Sequence, residues 1–96
     1  MIRRDINYYL DRAKERSGVQ TDKDLNRLLG YHSSMIAHMR SGRSFPSEDM
    51  MLALADLAGI HEHVALLDLA ACRNSGRVRQ AYIALLGQIA PKLPPE

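Results

Sequence analysis

The sequence is poor in cysteine and in long apolar runs. A single cysteine, Cys72, excludes an intrachain disulfide and fits a reducing compartment. No apolar stretch approaches the ~18 residues of a membrane-spanning helix. The first residues, MIRRDINYYLDRAKER, lack the apolar segment of a secretory signal. We therefore expect a cytoplasmic protein that has no membrane partner.

Signatures of catalysis and of metal binding are also missing from the sequence. It contains no phosphate-binding loop and no nucleophile elbow. His61 and His63 lie two residues apart, which places them on different faces of a helix, and no second pair of Cys or His completes a zinc site. We predict that the protein is not an enzyme and has no metal, no cofactor and no small-molecule substrate.

Helical periodicity is what the sequence does contain. No segment alternates as a strand does, and 96 residues make one domain. Apolar residues recur at helical spacing in six segments, at 5–17, 21–29, 33–41, 47–58, 61–73 and 77–90. We predict a single all-α domain of five to six helices. Its parts are a helix-turn-helix core at 1–60, C-terminal helices at 61–90 and a flexible, non-helical tail at 91–96.

The second and third segments are short and are joined by a tight turn. In the second, Leu25, Leu28 and Leu29 form the predicted apolar stripe, and Gly30 ends the helix. Two short helices joined by a turn that contains glycine follow the helix-turn-helix plan.

Charge is distributed in blocks along the chain, although the net charge is only +2. Residues 25–47 contain three arginines, two histidines and no acid. Residues 48–72 contain five acids and no Lys or Arg, and residues 73–90 contain three arginines and no acid. Such blocks suggest one surface that faces an anion and another turned away from it. Chance segregation on a solvated surface remains the alternative.

The third segment has an unusual outer side. Met35, Ile36 and Met39 share one side of the helix and are predicted core residues. The other side carries Ser33, Ser34, Ala37, His38 and Ser41. This side is small, polar and free of acids, so it fits a groove lined by a polyanion. The serines also suit a helix N-terminus, and His38 is compatible with an ordinary surface histidine.

Residues 21–60 resemble the Cro/cI-type (XRE-like) helix-turn-helix family of phage and bacterial regulators. The matching positions are Leu25, Leu29, Gly30, Ile36, Met39, Gly42, Pro46, Leu54, Ala55, Leu57, Gly59 and Ile60. The whole chain is also similar to small phage- and prophage-related regulators. The resemblance implies a lambda-repressor-like DNA-binding domain with a C-terminal helical extension.

The resemblance also implies roles for individual residues. Segment 33–41 would be the recognition helix in the major groove of double-stranded DNA. Base contacts would come from Ser33, Ser34, Ala37 and His38. Phosphate contacts would come from Thr21, Lys23, His32 and Arg43, and from Arg40 if it is free. The protein would be a sequence-specific transcriptional regulator on a palindromic operator, as repressor or activator.

Three positions depart from the family pattern. Asn26 replaces an alanine between the two helices, so it needs a hydrogen-bond partner or must tilt outward. Arg40 replaces a frequent acid, and we expect it to pair with Asp11 or Glu15 unless it binds phosphate. Asp22 replaces a frequent glutamine, and its carboxylate would repel phosphate unless it accepts from a cytosine amino group.

A regulator with one short recognition helix reads few base pairs, so we predict a symmetric homodimer through the last two helices. The predicted interface residues are Val78, Tyr82, Leu85, Leu86 and Ile89. Arg73, Arg77 and Arg79 are left open between DNA, a partner subunit and solvent. The alternatives are the antitoxin of a toxin–antitoxin pair and a helical protein–protein adaptor that does not bind DNA.

Overall fold

The structure, a computed structural model, describes residues 5–32 and 34–94. Within these residues the chain forms six α-helices and one short 3-10 helix, and no β-strand. The elements are α1 (Ile6–Ser17), α2 (Asp22–Leu29), α3 (Met35–Arg40), α4 (Glu48–Ala58), α5 (Glu62–Arg73), α6 (Gly76–Ile89) and the 3-10 helix (Ala90–Lys92). The all-α prediction is confirmed. None of the described helices is long and apolar enough to cross a membrane.

Side-chain caps explain where two of these helices begin. The hydroxyl of Thr21 accepts a hydrogen bond from the backbone N–H of Asp24, at 3.1 Å. Ser47 accepts one from the N–H of Met50, at 3.2 Å, at the start of α4. Each bond satisfies an amide group that the helix N-terminus leaves without an intrahelical partner.

One hydrophobic core connects the six helices. Helix α1 packs mainly on α4, and α5 packs on α4 and α6. The buried members of this core are Ile6, Tyr9, Leu10, Ala13, Leu25, Ile36, Met39, Met51, Leu54, Ala55, Ala58, Ile60, Val64, Ala65, Leu69 and Leu86. The core therefore continues across residue 60, where the sequence suggested a division of the domain.

Polar side chains also tie the C-terminal helices to the first four. The hydroxyl of Tyr9 in α1 donates to the buried carboxylate of Asp68 in α5. Arg73, the last residue of α5, donates to the backbone carbonyl of Pro46 at 2.5 Å and to Glu48 at 3.2 Å. Arg73 thus holds the loop between α3 and α4. This role differs from the contacts with DNA, a partner subunit or solvent that the sequence left open.

Three sequence-based expectations are wrong. Leu28 was expected in the apolar stripe of α2, but its side chain is 52% exposed. The tail was expected to be non-helical, but Ala90–Lys92 form a 3-10 helix. Pro91 is tolerated there because it lies near the N-terminus of that helix. The next residue, Leu93, packs against the core. Helix α3 is shorter than the expected 33–41: it spans Met35–Arg40, and Ser34, which makes no side-chain cap hydrogen bond, and Ser41 flank it. Ser33 lies outside the described residues.

Candidate nucleic-acid interface

The candidate site is the outer side of α3. Its position is set by the inner side of the helix, which is anchored in the core. Ile36 is fully buried, Met39 is nearly so, and Met35 packs against the core. These are the three residues that the sequence assigned to the core. Because α3 has only six residues, it depends on this anchoring and on its contacts with α1 and α2.

The turn between α2 and α3 is fixed by backbone and side-chain bonds. Gly30 has a φ angle of 71°, a left-handed conformation that glycine adopts without steric cost. The backbone N–H of Tyr31 donates to the carbonyl of Asn26 at 2.9 Å. The hydroxyl of Tyr31 donates to the carbonyl of Met50 at 3.0 Å, which joins the turn to α4. Burial raises the pKa of Tyr31 to about 12.

The outer side of α3 points away from the core. Ser34, Ala37 and Ser41 are exposed, and His38 is half-buried. The hydroxyl of Ser41 donates to the backbone carbonyl of His38 at 3.0 Å, so it serves its own helix. The same carbonyl accepts the N–H of Arg43 at 2.9 Å, where the chain leaves α3. The site thus offers a hydroxyl, a methyl group and an imidazole, with no acid among them.

Arg40 lies at the centre of an ionic cluster rather than in this outer side. Its guanidinium donates to both carboxylate oxygens of Asp22, at 2.7 and 3.0 Å. It also donates to Asp11 at 2.8 Å and to the side-chain oxygen of Asn7 at 3.0 Å. The expected pairing with Asp11 is confirmed. Glu15, the other expected partner, lies 3.5 Å from Arg12 instead.

The ionic cluster changes two of the sequence-based assignments. Arg40 is not free, so we remove it from the predicted phosphate contacts. Asp22 is neutralised by Arg40 and by Lys14, whose amino group lies 3.3 Å away. The hydrogen bond from Arg40 is the main reason that the pKa of Asp22 lies below its usual value, with Lys14 acting in the same direction and partial burial opposing both. A paired Asp22 repels a nearby phosphate less than an isolated carboxylate would.

The sequence did not identify Asp22 or Asn7 as partners of Arg40. One feature of the sequence could have indicated the pairing with Asp22. Helix α2 begins with two acids, Asp22 and Asp24, which is unusual in a segment that was expected to contact phosphate. Asn26, the other departure from the family pattern, is buried rather than tilted outward.

The remaining predicted phosphate contacts lie on the surface near the two ends of the helix-turn-helix segment. Thr21 and Lys23 are exposed at the start of α2, His32 is exposed in the turn, and Arg43 is exposed after α3. In the part of the chain that the structure describes, Lys23 and Arg43 form no ion pair with a carboxylate. Both cations are therefore available to an external anion.

The predicted dimer interface on α6 is partly exposed and partly internal. Val78 is 51% exposed and Leu85 is 46% exposed, and Tyr82 and Ile89 are half-buried. Leu86 is only 6% exposed and belongs to the core, because it lies about 100° around α6 from Leu85, towards α5. Leu86 is therefore removed from the predicted interface.

Two further residues of α6 complete the description of this surface. Ala81 is exposed between Val78 and Leu85, and Arg77 lies at the N-terminal end of the same surface. Ala81 was not among the predicted interface residues, although its position three residues after Val78 places it on the same side of the helix. Arg79 turns inward and donates to the carbonyl of Ala71 at 3.0 Å.

Comparisons with protein-family models, with curated protein sequences and with solved structures found no match to this chain. Among the described residues, no group of three His, Cys, Asp or Glu side chains is placed to hold a metal ion. Function is therefore inferred from the geometry and chemistry of the residues described above.

Proposed function

We propose that this protein binds double-stranded DNA and regulates transcription, with the outer side of α3 in the major groove. The observation that carries the proposal is the contrast between the two sides of α3. One side is anchored by Ile36 and Met39, and the other exposes small, acid-free residues. An exposed helix side of this kind approaches base edges closely and meets no repulsion from the phosphates that line the groove.

The side chains on α3 suit direct readout of base edges. The hydroxyl of Ser34 donates or accepts, the methyl of Ala37 fits against a thymine methyl, and His38 donates to the acceptors of guanine. Helix α3 is only six residues long, so each copy reads about four or five base pairs. Two copies on successive major grooves, ~34 Å apart, would read a palindromic operator.

Lys23 and Arg43 would supply sequence-independent affinity by contacting phosphates, together with Thr21 and His32. If Lys23 and Arg43 each neutralise one phosphate in both copies, four phosphates are involved. The logarithm of the binding constant then falls against the logarithm of salt concentration with a slope of about −4. Occupancy of the operator would block or recruit polymerase.

The test is selection of bound duplexes from a random pool, followed by binding of the selected duplex at several salt concentrations. We expect a palindromic consensus and a steep loss of affinity as salt rises. Lack of duplex binding at low salt would reject the proposal and favour a helical adaptor that binds only protein.

A matched pair of variants locates the binding surface. Ala37→Glu places a carboxylate on the outer side of α3, and we expect it to abolish duplex binding through repulsion by phosphate. Ala53→Glu makes the same change at an exposed position of α4, and we expect it to retain binding. Circular dichroism should show both variants folded. Equal loss of binding in the two variants would mean that net charge, rather than α3, controls the interaction.

A further inference from the structure

We propose that α6 pairs with α6 of a second copy in antiparallel orientation, with a two-fold axis between Ala81 and Tyr82. The pairing surface consists of Val78, Ala81, Tyr82 and Leu85. This inference deepens the proposed function, because the pairing would supply the symmetry that a palindromic operator needs. Its test requires no DNA, so the two proposals fail separately.

The exposure of α6 is the first observation behind this proposal. Val78 and Leu85 are among the most exposed large apolar side chains of the described chain. They lie two helical turns apart and form a continuous apolar strip with Ala81 and Tyr82. The core-facing side of α6 is separate and is occupied by Leu86. The exposed side chains Val78, Ala81 and Leu85 are therefore not needed for packing within one chain, whereas the half-buried Tyr82 borders both surfaces.

The order of residue sizes along the strip is self-complementary. Val78 and Leu85 lie at equal distances on either side of the midpoint between Ala81 and Tyr82. In an antiparallel pair centred on that midpoint, Val78 faces Leu85 of the second copy. Ala81 faces Tyr82 of the second copy, so a small side chain opposes a large one at the axis. An isologous contact requires this kind of match of a surface with itself.

Charge is the second observation that favours a second copy as the occupant. The last turn of α6 contains no basic residue, and the nearest one along the chain is Lys92 in the 3-10 helix that follows. Antiparallel pairing brings Arg77, near the N-terminal end of one helix, towards the C-terminal half of the other. Each copy then places a cation beside the C-terminal half of the other helix, which contains none of its own.

The same register gives Arg77 a specific neighbour. Arg77 and Gln88 are both exposed and lie along one edge of the apolar strip. Measured from the axis, Arg77 is 4.5 residues away and Gln88 is 6.5 residues away on the other side. In the pair, Arg77 and Gln88 of the second copy therefore differ by two residues along the helix axis, about 3 Å. The guanidinium of Arg77 donates to the side-chain oxygen of that Gln88.

The strip is short, so the pairing is weak to moderate, with a dissociation constant on the order of 10 μM. Sedimentation equilibrium from about 1 μM to about 200 μM should follow a monomer–dimer equilibrium in this range. A monomer at all of these concentrations would overturn the proposal and leave the strip for a different protein.

A matched pair of variants on α6 tests the surface. Ala81→Glu places two carboxylates beside the axis, so we expect a monomer at every concentration measured. Gln80→Glu adds the same carboxylate at an exposed position on a different side of α6, and we expect the wild-type equilibrium. Circular dichroism confirms that each variant is folded. A dimer that persists in Ala81→Glu would overturn the proposal.

Disulfide trapping tests the orientation, in a chain with Cys72 replaced by alanine. Ala81→Cys should oxidise to a covalent dimer, because positions 81 are offset along the axis by only about 1.5 Å. Val78→Cys alone should not form a covalent dimer. The two copies of position 78 are about 10 Å apart along the helix axis, which exceeds the ~7 Å between Cα atoms that a disulfide spans. Mixing Val78→Cys with Leu85→Cys should give the mixed dimer. Self-linkage of Val78→Cys would indicate parallel pairing and overturn the register.

The DNA-binding variant separates this proposal from the proposed function. Ala37→Glu should sediment as the wild-type dimer although it no longer binds duplex. A wild-type dimer that binds no duplex rejects the regulator and keeps the pairing. Loss of dimer in Ala37→Glu would place α3 in the contact between copies and overturn the α6 pairing.

Discussion

Helices α3 and α6 both have one buried side and one exposed side, but the exposed sides differ in chemistry. That of α3 carries Ser34 and Ala37, whereas that of α6 carries Val78 and Leu85. Small polar groups remain hydrated and suit a charged, hydrated partner such as a nucleic acid. A strip of large apolar groups gains free energy only by leaving water. This difference in chemistry is the basis for proposing a different class of partner for each helix.

The two helices also differ in how they are held. Helix α6 has 14 residues and is fixed by apolar packing at Leu86. Helix α3 has six residues, and besides its buried side chains it relies on Arg40 to bind α1 and α2. A long helix tolerates loss of a polar contact, whereas a short one depends on it for its orientation.

Adjacent leucines in α6 provide the largest expected contrast. Leu86→Ala removes a core side chain, and we expect the free energy of unfolding to fall by about 2–4 kcal/mol. Leu85→Ala removes an exposed side chain, and we expect a loss below about 1 kcal/mol. Urea denaturation measures both changes in unfolding free energy. Both substitutions are made in the Ala81→Glu variant, which we expect to be monomeric, so that dimer formation does not contribute. Equal losses would contradict the assignment of the two sides of α6.

The ionic cluster beneath α3 should give a smaller effect. Arg40→Ala should lower the free energy of unfolding at pH 7 by about 1 kcal/mol, because the cluster is partly exposed and screened. Arg27→Ala is the control, since Arg27 lies 3.6 Å from Asp24 on an exposed helix surface. We expect little change in the control.

The pH dependence of the Arg40→Ala effect follows from Asp22. The pKa of Asp22 is lowered in the folded state, so its contribution to stability is complete above the unfolded pKa of about 3.9. It is lost as the pH falls through the lower, folded value. The difference between wild type and Arg40→Ala should therefore shrink below about pH 4 in urea titrations. A difference that stays constant down to about pH 2 would contradict this role for Asp22.

Replacing glycine by alanine should change the stability in opposite directions at two positions. Gly30→Ala forces alanine into a φ of 71°, and we expect it to destabilise the fold by about 1 kcal/mol. Gly87→Ala lies within α6 with open space around the added methyl group, and we expect a gain of about 0.5–1 kcal/mol. Thermal unfolding of the two variants checks both signs. A stabilising Gly30→Ala would mean that the turn before α3 is not held in this conformation.

Arg43→Ala should leave stability almost unchanged, because the Arg43 side chain is exposed. On DNA we expect weaker binding to all sequences alike, and a salt slope smaller by about one for each phosphate that is no longer neutralised. Binding of the preferred duplex and of an unrelated duplex at several salt concentrations measures both effects. A change in the preferred sequence would contradict the assignment of Arg43 to phosphate.

Local chemistry made most of the helix boundaries predictable. Ser and Thr favour the position just before a helix and Gly the position just after one, which is where Thr21, Ser47 and Gly30 lie. These helix ends can therefore be predicted without knowledge of the tertiary structure. The anchoring of α3 by Ile36 and Met39 also follows from spacing alone.

Features that depend on distant parts of the chain were harder to predict. The sequence offers Arg40 several acidic partners, and only the packing of α1 and α2 against α3 shows that it pairs with Asp11 and Asp22 together. Leu28 and Leu86 both fit an apolar helical stripe. Which leucine is buried depends on where the neighbouring helices lie, and periodicity does not contain that information.

The core shared across residue 60 has a practical consequence for protein engineering. A chain shortened to end there would lack the core residues Leu69 and Leu86, and with α5 it would lose the helix that packs on α4. It would also lack the hydrogen bond from Arg73 to the backbone of Pro46. Helix α3 and its neighbours are thus not a detachable module. A test of the proposed DNA-binding surface on another scaffold would therefore transfer the few outward positions of α3 rather than a length of chain.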